Sequence, residues 1–119
     1  VVGSNLFADI LTDLGGALQG SLGLAASANL NPGERRGPAL FEPVHGSAPD
    51  IAGRGIANPT AAIWASALML EHLGEINAAD RVMNALKAVM GQGRVRTPDL
   101  GGKNTTEEFA AAVAGQVKA

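Results

Sequence analysis

Two groups of side chains in this sequence are spaced so that they can do chemistry together. Asp9 and Asp13 stand four residues apart, the spacing that places two carboxylates on one flank of a helix. Two such groups repel, and no cationic residue lies in that stretch to offset them. Either they form a solvated face, or they are half of a site for a hard divalent cation such as Mg2+ or Mn2+, which takes carboxylate oxygens. In the second case a third ligand and the substrate come from outside the stretch. The other group lies in the segment from Glu42 to Pro59. It is too apolar for a linker and too broken by Gly and Pro for a helix or strand. Gly46, Gly53 and Gly55 let its backbone approach a ligand. His45 either makes a structural hydrogen bond or stacks against, or bonds, a base. Asp50 either caps a turn or accepts from two ribose hydroxyls, as a carboxylate can. An ordered irregular segment must find partners for many backbone groups, and such loops usually bind something. We read this one as wrapping the adenosine half of a dinucleotide. Gly53–Asn58 comes near the glycine-rich dinucleotide fingerprint, but it ends in Asn and follows no strand, so it is not a Rossmann loop.

These residues need elements to hold them. Apolar residues at helical spacing (Leu6, Phe7, Ile10, Leu11, Leu14, Leu18) predict a helix over 5–20 with Asn5 as its N-cap. Gly23 breaks that pattern, and a short strand is expected within Leu24–Leu30. Asn31–Pro38 reads as a turn, in which Arg35 and Arg36 either grip a phosphate or simply decorate a surface loop. Residues 39–44 read as a short buried strand that Pro43 ends or confines to an edge. Asn58-Pro59 starts a helix over 59–73, apolar nearly all round, expected to be largely buried and stopped by Gly74. A further helix over 77–90 carries Ala79, Val82, Met83, Leu86, Val89 and Met90 as its stripe, with Asn77 and Asp80 resembling a capping box. Its methionines read as core filler. A basic, Gly-rich connector spans 94–103. Thr105 and Glu108 then form a cleaner capping box for a final helix with Phe109, Ala112, Val113 and Val117 on its apolar face.

The bulk properties narrow the function classes. The 119 residues suffice for one modest domain, with a net charge of −2, three Phe, one Trp and no Tyr. Nothing in that charge points to nucleic acid. The absence of Cys removes disulfides and any thiolate metal or nucleophile site. No apolar run approaches a membrane span. Val1-Val2 reads as the end of a buried strand, so the chain is expected to be the carboxyl-terminal part of a longer one.

Asn5–Asp13, Ser27-Ala28-Asn29, Asp99–Gly102, Thr105–Phe109 and above all Glu42–Pro59 resemble the beta-decarboxylating dehydrogenase family. That family comprises isopropylmalate, isocitrate, homoisocitrate, tartrate and D-malate dehydrogenases. The resemblance covers essentially the whole chain. It implies an α/β fold of the isocitrate/isopropylmalate dehydrogenase type, here a carboxyl-terminal fragment, helix-rich with few short strands. It implies that residues 1–23 end a dimerisation and metal-binding domain and that 24–119 belong to a cofactor-binding domain. By likeness Asp9 and Asp13 are Mg2+ or Mn2+ ligands, joined by an aspartate from a partner subunit. His45, Gly46, Ser47, Ala48, Asp50, Ile51 and Asn58 match the cofactor loop, with Asp50 on the adenosine ribose and Asn58 on the adenine edge. NADP-using bacterial isocitrate dehydrogenases carry Lys-Tyr where this chain has Asp50-Ile51, so the implied cofactor is NAD. Ala8 departs from the Gly of many members and leaves both carboxylates in place.

The implied reaction is oxidation of a 2-hydroxy diacid with loss of its beta-carboxylate, in a cytoplasmic homodimer that engages neither nucleic acid nor membrane. The family's catalytic Tyr and Lys and its substrate-binding arginines fall outside this chain, so no catalytic residue is assigned here and the fragment is not expected to act alone. Asn31-Pro32, Ile63–Ala67 and Met69–Glu75 look most like tartrate and D-malate dehydrogenases. Isopropylmalate dehydrogenase, or an inactive truncated relic, is the alternative.

Overall fold

The computed structural model describes residues 2–31, 33 and 37–118. Pro32, Glu34, Arg35 and Arg36, and with them the candidate phosphate grip, lie outside the described residues. So does Val1; Val2 is fully exposed coil, so the expected strand end is not formed there.

Helix α1 runs Asn5–Leu18. Ser4, in extended backbone, is its N-cap, and the Ala8 N–H bonds the Ser4 carbonyl at 2.8 Å. Asn5 is therefore the first helical residue and not the cap. A 3-10 turn over Leu22–Leu24 leads into strand β1, Ala26–Asn29. Strand β2, Leu40–Pro43, pairs with it antiparallel, Ala26 opposite Pro43 and Asn29 opposite Leu40. This two-stranded sheet lies against helix α2, Thr60–His72, where the Phe41 and His72 rings meet at 5.6 Å between centroids. The expectation that β2 is buried is not met: its residues alternate between exposed and half-buried. Two strands leave one face of the sheet without a covering layer, and the alternation follows.

Helices α3, Ile76–Gln92, and α4, Thr106–Lys118, follow, with a 3-10 turn over Pro98–Leu100 between them. The core sits between them. Ala85, Leu86, Val89, Phe109 and Val113 are buried there, with Ile63 and Trp64 of α2 packed on the cluster beside Met83, Met90 and Val117. The methionines do fill core. In α2 the buried positions are the small ones, Thr60, Ala61, Ala65 and Ala67. Met69 and Leu73 are exposed, so that helix is less buried than its composition implies. The bulky Ile63 and Trp64 reach the α3–α4 cluster and are half-buried there, while Met69 and Leu73 face away from it.

Both helix stops follow from glycine. Gly74 and Gly93 adopt φ of 88° and 64°, conformations open to glycine at little cost. The Asn77–Asp80 capping box does not form. The Ala79 N–H bonds the Glu75 carbonyl at 3.0 Å, so the helix begins at Ile76 and places Asn77 inside its first turn. The Thr105–Glu108 box does form. The Glu108 N–H donates to Thr105 Oγ1 at 3.1 Å and the Thr105 N–H donates to Glu108 Oε2 at 2.8 Å.

Candidate functional site

The segment between β2 and α2 folds as consecutive turns. The Ile51 N–H donates to the Ala48 carbonyl and the Arg54 N–H to the Ile51 carbonyl, both at 3.1 Å. Gly53 and Gly55 take positive φ, 75° and 64°. Ala48 does too, at 41°, where a side chain costs on the order of 1 kcal/mol. The turns wall a cleft of about 640 Å3. His45, Gly46, Ser47, Ala48, Ile51 and Asn58 all line it, six of the seven residues assigned to the cofactor loop. Asp50 does not; it is exposed in the turn between Ala48 and Ile51, which do line it. His45 Nδ1 lies 3.0 Å from the Gly46 carbonyl. A carbonyl only accepts, so Nδ1 carries the proton, and in the neutral ring Nε2 is the acceptor turned elsewhere.

The far side of the cleft is built from other parts of the chain. Asp13 of α1 and Ser21, Leu22 and Gly23 after it line the wall, as does Asp99. The exposed Asp9 does not reach the lining. Asp99 lies in a 3-10 turn, Pro98–Leu100, that interrupts the connector expected over 94–103. Its carboxylate accepts from the Ser21 and Thr97 hydroxyls and from Asn58 Nδ2, the last at 2.9 Å. Burial alone pushes the Asp99 carboxyl up, but the hydrogen bonds from Ser21, Thr97 and Asn58 outweigh it and hold the group below its ordinary value. The N-cap of α2 is Pro59 and not Asn58, but Asn58 Oδ1 accepts from the first helical N–H, that of Thr60, at 3.0 Å from one position further out. Gly23 makes room for it: a Cβ at Gly23 would stand 2.9 Å from the Asn58 Cβ.

The loop is also held from α4. The Thr106 N–H donates to the Gly55 carbonyl at 2.8 Å, and its hydroxyl donates to the Ala57 carbonyl. Asp99, Ser21, Thr97 and Thr106 thus brace the cleft; Asp99 and Thr106 fall in stretches that carry the family resemblance, but none of the four is given a site role by the sequence. Asp99 sits just after Pro98 and before a Gly pair, a turn signal that says nothing of its distant partners.

The donor chemistry suits both groups of interest. A glycine-rich cleft with an imidazole and an amide in its lining fits a base and ribose. The Asp9 and Asp13 carboxylates are of the type a hard cation takes, but among the described residues no group of three His, Cys, Asp or Glu side chains is placed to hold a metal ion. A complete coordination sphere needs oxygens from elsewhere.

The family model described as isocitrate/isopropylmalate dehydrogenase matches residues 1–113. The chain belongs to that family. A protein of Agrobacterium vitis described as a probable tartrate dehydrogenase/decarboxylase is 57% identical over 113 residues, 95% of this chain and 31% of that protein. The isocitrate/homoisocitrate dehydrogenase of Thermus thermophilus is 56% identical over 118 residues, 99% of this chain and 34% of that protein. A crystal structure of isocitrate dehydrogenase from Methylococcus capsulatus superposes with a TM-score of 0.89 at 51% identity, covering 97% of this chain and 33% of the other. The fold is therefore of the isocitrate/isopropylmalate dehydrogenase type, and its helix-rich character with two short strands is as expected. The chain spans about a third of the length of the relatives it matches.

Proposed function

We propose that this chain forms part of an NAD-dependent, divalent-cation-dependent dehydrogenase that oxidises a 2-hydroxy diacid, tartrate or D-malate, with loss of carbon dioxide. The observation that carries this reading is the joining, in one cleft, of the turn-rich segment His45–Asn58 with Asp13 of the carboxylate-bearing helix. Family membership and the tartrate dehydrogenase/decarboxylase relatives support the substrate class. When bound, the dinucleotide and the cation supply a hydride acceptor and a Lewis acid.

The chain's own residues bind and orient. His45, Gly46, Ser47, Ala48 and Ile51 hold the adenosine end, Asp50 accepts from its ribose hydroxyls, and Asn58 meets the base. Asp50 also excludes a 2′-phosphate, because a carboxylate repels a second negative charge on the sugar it bonds. Asp9 and Asp13 hold the cation with a partner subunit's carboxylate in a homodimer.

Initial rates of the full-length protein on D-malate, tartrate, isopropylmalate and isocitrate, with NAD and Mn2+, test the proposal. Turnover of tartrate or D-malate above the other two is expected. Preference for isopropylmalate or isocitrate would move the substrate assignment within the family, and no turnover of any would overturn the enzymatic reading.

A further inference from the structure

We propose that Asp99 is a positioning residue for the dinucleotide: its carboxylate fixes the Asn58 side-chain amide so that Asn58 offers an N–H, and not its oxygen, to the base. The inference rests on the dinucleotide reading of the cleft. It adds a residue from outside the loop, 41 positions further along the chain.

An Asn side chain can be turned over, exchanging its oxygen and nitrogen at little steric cost. Here two partners of opposite polarity forbid that. The Thr60 N–H can only donate, and it takes Oδ1 at 3.0 Å. The ionised Asp99 carboxylate can only accept, and it takes Nδ2 at 2.9 Å. Asn58 is only 8% exposed, so the reversed amide would set donor against donor and acceptor against acceptor with little water to relieve either. Asp99 is itself fixed. Thr97, fully buried, holds Oδ1, and Ser21 shares Oδ2 with Asn58. One of the two amide hydrogens is spent on Asp99, which leaves the other at a cleft-lining residue. The ring nitrogens of adenine that carry no hydrogen only accept, while its exocyclic amine donates. A fixed donor at Asn58 therefore reads a ring nitrogen.

The test uses the full-length enzyme, with NADH binding by fluorescence, steady-state kinetics and thermal melting. Asp99→Ala is expected to raise KM for NAD about tenfold, while kcat stays within about twofold. In an Asn58→Ala background, Asp99→Ala should then add less than about twofold to KM, because the two act through one contact. Full additivity, or a loss confined to kcat, overturns the proposal.

A polarity swap serves if Asp99→Ala does not fold. In Asn58→Asp/Asp99→Asn the two side chains still bond and Thr60 keeps an acceptor, so the melting temperature returns toward wild type. Only oxygen then faces the base, so KM for NAD should remain about tenfold raised. A swap that restores both quantities shows a purely structural contact and overturns the inference. If the unsubstituted protein binds no NADH, the dinucleotide reading falls and this inference with it. If it binds and Asp99→Ala binds as tightly, the inference alone falls.

Discussion

Asp50 and Ile51 are neighbours with different surroundings. Ile51 is half-buried in the cleft wall, while Asp50 is exposed and outside the lining. In the proposed dinucleotide reading, this carboxylate would accept from a free ribose and repel a phosphate on the same sugar. Asp50→Lys with Ile51→Tyr in the full-length enzyme replaces the acceptor with a cation and an aromatic donor. Charge-assisted contacts are worth about 1.5–3 kcal/mol, so the NAD/NADP preference in kcat/KM should fall by at least about tenfold. An unchanged ratio would place cofactor selection at other residues. His45 follows the same logic on a smaller scale: its Nδ1 is engaged by Gly46, so a ligand meets its Nε2 or its ring face.

At the scale of elements, the turn before α4 is as critical as the loop it faces. Gly102 closes it. Its N–H, like that of Leu100, bonds the Thr97 carbonyl at 3.0 Å, and a Cβ there would meet the Arg96 carbonyl oxygen and carbon, both backbone. Backbone atoms cannot rotate aside, so Gly102→Ala should destabilise the protein by about 3 kcal/mol, measured by denaturant unfolding. A loss under about 1 kcal/mol would mean that the turn relaxes freely. The contrast between this turn and its neighbour shows what a sequence discloses. The capping box of α4 is legible because Thr105 and Glu108 lie within one helical turn, α1 and α3 from apolar spacing, and α2 from its apolar run between Asn58-Pro59 and Gly74. Asp99 is not. Its partners lie 78, 41 and 2 positions away, so no local pattern announces it. The burial of α2 was misjudged for a similar reason. Composition gives apolar character, but only the packing decides that Ala61 is inside and Leu73 outside.

For the molecule as a whole, two carboxyls report on folding. Hydrogen bonds outweigh burial to hold Asp99 below its ordinary 3.8, and the Thr105 backbone N–H, then the Asn104 side chain, hold Glu108 below its ordinary 4.5. Each binds fewer protons folded than unfolded, so each contributes stability that is fully present above its ordinary value and lost as pH falls through the folded one. The melting temperature of the full-length protein should stay level down to about pH 5 and fall below about pH 4, with a shallower fall in Asp99→Asn, followed by circular dichroism. Identical slopes in the two proteins would remove Asp99 from this account. The apolar side chains of α1 stand apart from the core; Leu6, Phe7, Ile10, Leu11, Leu14 and Leu18 are all exposed beside Asp9 and Asp13. The grip of Thr106 on Gly55 and Ala57 has a different reach, into the time course of synthesis. A chain leaves the ribosome amino end first. The loop emerges some fifty residues before Thr106, a separation of 49 for the hydroxyl contact, so throughout that interval the Gly55 and Ala57 carbonyls lack the donors that hold them in the folded protein. A nascent chain long enough to show the whole loop therefore still lacks the two hydrogen bonds that tie it to α4. The cleft matures when α4 begins.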